Sequence, residues 1–186
     1  DVALGGLRTA VNGYTMTGRP LAGWPLAIGA LTTARTGLAV GRVGDVKRIV
    51  VPSYGEGTNG SAVLYAFDQA GRRVWENDFG GSMYRMSCTT LDDLDADGSE
   101  EIIVVTKDRA LRNYLRLVSL DGHEIWQTEL NKEIWPLLGH YGSSYPRCPV
   151  AADVQGDAVR EIILPLWQSN EIEVAVYSAL GQPVRR

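Results

Sequence analysis

Apolar and polar residues alternate along most of this chain in short runs that close on a glycine. Leu64-Tyr65-Ala66-Phe67 passes through Asp68-Gln69-Ala70-Gly71 into Arg72-Arg73-Val74-Trp75. Leu115 to Trp126 repeats the plan around Gly122. Alternation on both sides of a glycine turn predicts a β-hairpin. Thr9–Leu21 around Gly18 and Val174–Val184 around Gly181 follow the same plan, and the four glycines lie 53, 51 and 59 residues apart. A second set of landmarks keeps nearly that period. Ile49-Val50-Val51, Ile102-Ile103-Val104 and Ile162-Ile163-Leu164 are spaced by 53 and 60 residues and are rich in β-branched side chains, so they predict buried strands. Two stretches stand outside the plan: Ser53–Gly60, a glycine-rich surface turn, and Leu130–Tyr145, a longer connection with some helical character. Asn59-Gly60 is a hairpin signal at the place where the second strand of a repeat should turn into the third.

A repeat of 50 to 60 residues built from short strands has the size of one four-stranded propeller blade. The expected fold is therefore all-β: a β-propeller segment of about three four-stranded blades (30–79, 83–135 and 146–186) after an N-terminal half-blade (7–27). No linker or low-complexity stretch divides it, so 1–186 is read as a single segment. The 60-residue shift also places Cys88 on Cys148, and around them Gly81-Ser82-Met83-Tyr84-Arg85 resembles Gly142–Arg147. Equivalent inner-strand positions in neighbouring blades usually lie too far apart for a bridge, so two buried thiols are expected. Closure needs at least about four blades, so the chain is not expected to close a propeller alone, and its apolar end faces should be covered by further sequence or by a second chain.

The densest chemistry is Asp93-Leu94-Asp95-Ala96-Asp97-Gly98-Ser99-Glu100-Glu101, followed at once by the strand Ile102–Val105. Carboxylates at alternate positions, a glycine and a closing carboxylate make a shell of hard oxygens suited to Ca²⁺, which takes six to eight of them. Asp93, Asp95, Asp97 and Glu101 would give side-chain oxygens and Ser99 its carbonyl. An EF-hand needs glutamate at the twelfth position, which here is Val104 inside a strand. The loop resembles the calcium loop of FG-GAP/VCBS repeats, the blades of integrin-α-type and related bacterial propellers, though the Phe-Gly and Gly-Ala-Pro signatures are absent. The resemblance implies a Ca²⁺-stabilised binding or scaffold module. Sixty residues on, Asp153, Gln155, Asp157 and Glu161 form a weaker second loop, in which Gln155 replaces an aspartate and Ala158 the glycine. In the first repeat Val40–Arg48 is shorter, carries cations and should bind no metal; Lys47 or Arg48 would take the charge position there.

Other residues are expected to be structural. Trp75 and Trp126 hold equivalent positions and should pack between blades, with Trp24 doing the same in the half-blade. Trp135 and Trp167 lack repeat partners and suit a surface or interface. Ala66–Trp75 also looks like the tryptophan-docking motif of quinoprotein propellers, which is structural there. His123 falls in an exposed turn, and His140 precedes an innermost strand. Neither has metal-ligand spacing, and no nucleophile elbow, phosphate loop or dinucleotide fingerprint appears. Asn59-Gly60-Ser61 is a formal glycosylation sequon.

Composition changes the picture only at its edges. With 45% hydrophobic and 22% charged residues the chain can pack a core, and a net charge of −4 with pI near 5.2 argues against a nucleic-acid partner. No apolar run is long enough to span a bilayer. A modest calcium site suits an extracellular, cell-surface or periplasmic setting. Protein or carbohydrate ligands, and further propeller sequence or other chains, are the expected partners. An enzyme acting on polysaccharide and a structural subunit of a surface assembly are the alternatives.

Overall fold

The structure is a computed structural model that describes residues 10–28, 32–33, 38–55, 62–79, 89–108, 110, 112–130, 133–134, 148–168 and 171–184. Every element among them is a strand, and all pairing is antiparallel. A short ribbon pairs β1 (Ala10–Val11) with β2 (Leu26–Ala27). The first sheet holds β3 (Thr32–Thr33), β4 (Ala39–Val43), β5 (Val46–Gly55), β6 (Ala62–Phe67) and β7 (Arg73–Asp78). Here β3 and β4 lie against the two ends of β5, so together they act as one interrupted edge strand. The second sheet runs in sequence order through β8 (Thr90–Asp92), β9 (Glu101–Lys107), β10 (Asn113–Ser119) and β11 (Glu124–Leu130). In the third, β12 (Glu133–Ile134) and β13 (Val150–Ala152) share one side of β14 (Glu161–Gln168), with β15 (Glu171–Tyr177) on the other.

One expected boundary shifts. Residues 133–134, taken by sequence for the end of the second unit and for a partly helical connection, are a strand of the third sheet. A two-residue strand has no periodicity to read, and its register against Trp167 and Leu166 decides its place. The Asn59-Gly60 turn and the surroundings of Trp135, His140 and Cys88 lie outside the described residues.

The four glycine hairpins share one geometry. In each, the first turn residue donates its N–H to the carbonyl four residues on, at 2.8 Å for Thr15 and Ser178 and 2.9 Å for Asp68 and Ser119. Each also accepts the N–H of Gly18, Gly71, Gly122 or Gly181. Side-chain oxygens of Thr15, Asp68, Ser119 and Ser178 take the N–H of Arg19, Arg72, His123 and Gln182. The glycines sit at φ 74° to 90°, a region that costs a residue with a Cβ roughly 1–2 kcal/mol. Glycine is thus demanded by the turn, and a Thr, Ser or Asp three residues earlier is its companion.

The sheets stack face to face in chain order. Val11, Leu26 and Ile28 of the ribbon meet Val51, Tyr65 and Phe67 of the first sheet. Val50 and Leu64 on the opposite face meet Ile102, Val104, Val118 and Leu120. Ile103, Val105, Leu115 and Leu117, behind them, meet Ile162, Leu164 and Tyr177. Strand β9 is therefore apolar at consecutive positions because both of its faces are covered. Trp75 Nε1 donates to Leu120 O and Trp126 Nε1 to Ala179 O, both at 2.9 Å. Asn77 Nδ2 and Thr128 Oγ1 add bonds to Gly122 O and Gly181 O. The tryptophans therefore clamp each sheet to the turn of the next, as their equivalent positions predicted. Trp24 does not. It lies against Gly13 of its own ribbon with Nε1 buried and unpaired, and Leu26 takes its place against Gly71.

Cys148 is disulfide-bonded, which corrects the expectation of two buried thiols. The residue is exposed, and the chain has one other cysteine, Cys88. Cys148 lies just ahead of β13 and not on it. Chains run close there: Thr90 Oγ1 donates to Pro149 O at 2.5 Å.

Candidate metal centre

The loop between β8 and β9 is organised by its own carboxylates. Asp93 Oδ1 accepts the Asp97 N–H at 3.0 Å and Oδ2 the Gly98 N–H at 2.9 Å, while Asp97 Oδ1 accepts the Ser99 N–H at 2.7 Å. Ala96 and Gly98 take positive φ, 61° and 89°, which curls the backbone inward. Oxygens of Asp93, Asp95 and Glu101 then lie within 4.8 Å of one another, the one such group among the described residues. Asp97 is on the same loop but outside that group, its carboxylate turned to the Ser99 N–H.

Glu101 is the informative member. It opens β9, is 5% exposed, and accepts the Leu94 N–H at 2.9 Å. Burial, followed by the charges of Asp95, Asp97 and Asp93, pushes its carboxyl up to about 7, against the opposing pull of the Leu94 hydrogen bond. Several carboxylates converging on a desolvated one are an arrangement that a bound cation relieves. The donor set, all hard oxygen, fits a hard divalent cation.

The second loop, between β13 and β14, has the same backbone. Asp153 accepts N–H groups of Asp157 and Ala158, Asp157 accepts from Val159, and Val154 N–H donates to Glu161 Oε2 at 2.8 Å. Positive φ recurs at Gly156 and Ala158, 77° and 70°. Ala158 therefore makes the turn that Gly98 makes in the first loop. The decisive difference is Gln155, whose Nε2 donates to Glu161 Oε1 at 2.7 Å. An amide hydrogen occupies the position where the first loop has the Asp95 carboxylate, so buried Glu161 is satisfied by hydrogen bonding within the loop.

In the first sheet the loop is reduced to a two-residue turn at Gly44-Asp45. Arg48 stands at the position of Glu101, and its Nε is buried without a hydrogen-bond partner. Residues beside the loops tie neighbouring sheets together: Glu100 Oε2 accepts the Arg42 N–H at 2.7 Å, and Arg160 Nη1 donates to Asp92 Oδ2 at 2.8 Å. The position before the closing glutamate thus reaches back to the edge strand of the preceding sheet. Sequence reading missed this role, although two charged residues at the same repeat position were a visible signal.

A separate open groove of about 590 Å³ lies where the outer edges of the first and second sheets meet, lined by Asn77, Phe79, Arg116, His123, Glu124 and Gln127 among others. Arg116 is engaged within it. It stacks on Phe79 at 4.7 Å, donates to Thr106 Oγ1 at 2.8 Å and pairs with Glu124. No helix among the described residues is long and apolar enough to cross a membrane. In comparisons with known proteins, no family model, no curated protein and no solved structure matches this chain.

Proposed function

We propose that the chain is a segment of a calcium-stabilised β-propeller of the FG-GAP/VCBS type, serving as a ligand-binding, adhesive or scaffolding module outside the cytoplasm. The observation that carries it is buried Glu101 facing Asp93 and Asp95 in a curled loop at the inner end of a sheet. Asp93, Asp95 and Glu101 would hold Ca²⁺ through side-chain oxygens, with Asp97 and Ser99 completing the set that the family resemblance implies. Bound there, the cation supplies charge neutralisation and cross-links the loop to β9.

Three features support the propeller. Antiparallel sheets of five, four and four strands follow one another in sequence, each stacked on the last. Inner strands β4, β8 and β13 are joined by the Glu100–Arg42, Arg160–Asp92 and Thr90–Pro149 contacts. Outer strands β7 and β11 carry the tryptophan clamps. The disulfide at Cys148 favours an oxidising compartment. Protein or carbohydrate remains the ligand class, with the groove at Phe79 and His123 as a surface where one could rest. Calcium titration by calorimetry tests the metal. One ion per chain, lost in Asp95→Ala, is expected. No binding at millimolar calcium, or two tight sites, would overturn it.

A further inference from the structure

We propose that the groove between the outer edges of the first and second sheets binds a neutral oligosaccharide. The inference rests on the ligand-binding part of the proposed function and not on calcium.

The groove exists because one junction of the stack is packed differently from the next. Where the second sheet meets the third, Leu130 and Leu166 are buried and Ala175 packs against them. Where the first meets the second, the same repeat positions hold Phe79, Thr106 and Arg116. Phe79 is only partly buried there, and the apolar packing of β9 and β10 stops at Val104 and Val118. Six residues before the turn glycine the three sheets carry Tyr65, Arg116 and Ala175, so the second alone has a charge at that position. Arg116 is 9% exposed, and a charge so buried costs stability. The third sheet fills the same place with alanine. Stacking therefore does not require the arginine, and what accompanies it is an open space of about 590 Å³. That volume falls within the range of small-ligand clefts, roughly 300–1,000 Å³. Both walls are strands in the middle of the chain.

The lining is set before a ligand arrives. Arg116 is held by Thr106 Oγ1, by Glu124, and against the rings of Phe79 and Tyr114 at 4.7 and 5.2 Å. Asn77 Nδ2 is held on Gly122 O at 2.6 Å. Groups fixed in this way lose little freedom on binding, which favours a polar ligand over the water it displaces. A guanidinium has five N–H donors, and Thr106 and Glu124 engage only Nε and Nη1. The remaining donors, the Gln127 amide and the His123 imidazole set donors and acceptors side by side. A hydroxyl is both donor and acceptor, so a row of sugar hydroxyls matches such a lining. Charge selects among sugars. One guanidinium faces the carboxylates of Glu124 and Asp78, so even with His123 protonated there is no excess of positive charge to hold a phosphate, sulfate or uronate.

The test is calorimetric titration of the full chain with gluco-, manno- and galacto-configured neutral hexasaccharides, a galacturonic acid hexamer and a pool of neutral hexapeptides. At least one neutral hexasaccharide should bind at millimolar affinity or tighter, and the acidic hexamer and the peptides should not. His123→Ala and Gln127→Ala should each weaken binding about tenfold, the loss of one hydrogen bond. Both side chains are exposed, so their melting temperatures should match wild type. Absence of saccharide binding, preference for the acidic hexamer or for peptides, or variants that bind like wild type would each overturn the proposal. A chain that takes up calcium but no saccharide would lose this inference alone, and one that binds saccharide in the groove but no calcium would lose the metal reading alone.

Discussion

One substitution separates a metal loop from a self-sufficient one. Asp95 and Gln155 occupy the same place beside a buried glutamate, and only Gln155 can donate to it. Asp95→Gln should therefore let the first loop satisfy Glu101 internally. Its melting temperature should equal or exceed that of metal-free wild type and should no longer respond to calcium or EDTA. Glu101 also predicts a pH dependence. Its carboxyl titrates at about 7 in the folded chain, above its ordinary value of 4.5, so folding takes up a proton between those values. Stability from this group is present in full below about 4.5 and is lost as pH rises through about 7. In EDTA, wild type should lose stability between pH 5 and pH 7.5 relative to Glu101→Gln, and thermal melts of the pair at both pH values check this. Calcium should then restore more at pH 7.5 than at pH 5, where it competes with the proton. The acidic loop was legible because its oxygen donors are local in sequence. The Gln155–Glu161 bond was not, because an amide can replace a carboxylate only once its orientation toward a buried partner is known.

Turns and clamps set the stability of the elements. Gly122→Ala and Gly18→Ala meet the same backbone strain, at φ 90° and 79°. An alanine at 122 would also come within 2.9 Å of Trp75, while at 18 it has open space. Gly18→Ala should cost on the order of 1 kcal/mol, and Gly122→Ala distinctly more, as read by denaturant unfolding. Trp126→Phe keeps most of the ring but removes the donor to Ala179 O, and should cost about 1–2 kcal/mol. The hairpins were plain in the sequence because alternation and a turn glycine coincide. Strands β3 and β12 were hidden because two residues show no period, and they exist by pairing with the far ends of β5 and β14. The tryptophan clamps followed from repeat position, and Trp24 broke that pattern because it lies six residues after its turn glycine instead of four.

At the scale of the molecule, stability comes from faces stacked in order, with links at both edges: acidic-loop and inner-strand contacts on one side, tryptophans on the other. The disulfide at Cys148 belongs to the inner side, and reduction should lower the melting temperature by the equivalent of about 2–4 kcal/mol. Sequence spacing gave the equivalence of Cys88 and Cys148 but not the disulfide at Cys148, since the approach of neighbouring segments ahead of β13 depends on how the sheets stack. The account turns on whether the Asp93–Glu101 loop is held by a cation. Its most direct test is thermal unfolding of wild type and Asp95→Gln at pH 7.5, each in EDTA and in excess calcium. Calcium at a hundredfold excess over its dissociation constant should raise wild-type stability by about 2.7 kcal/mol and leave Asp95→Gln unmoved. A wild-type melting temperature indifferent to calcium and EDTA would contradict it.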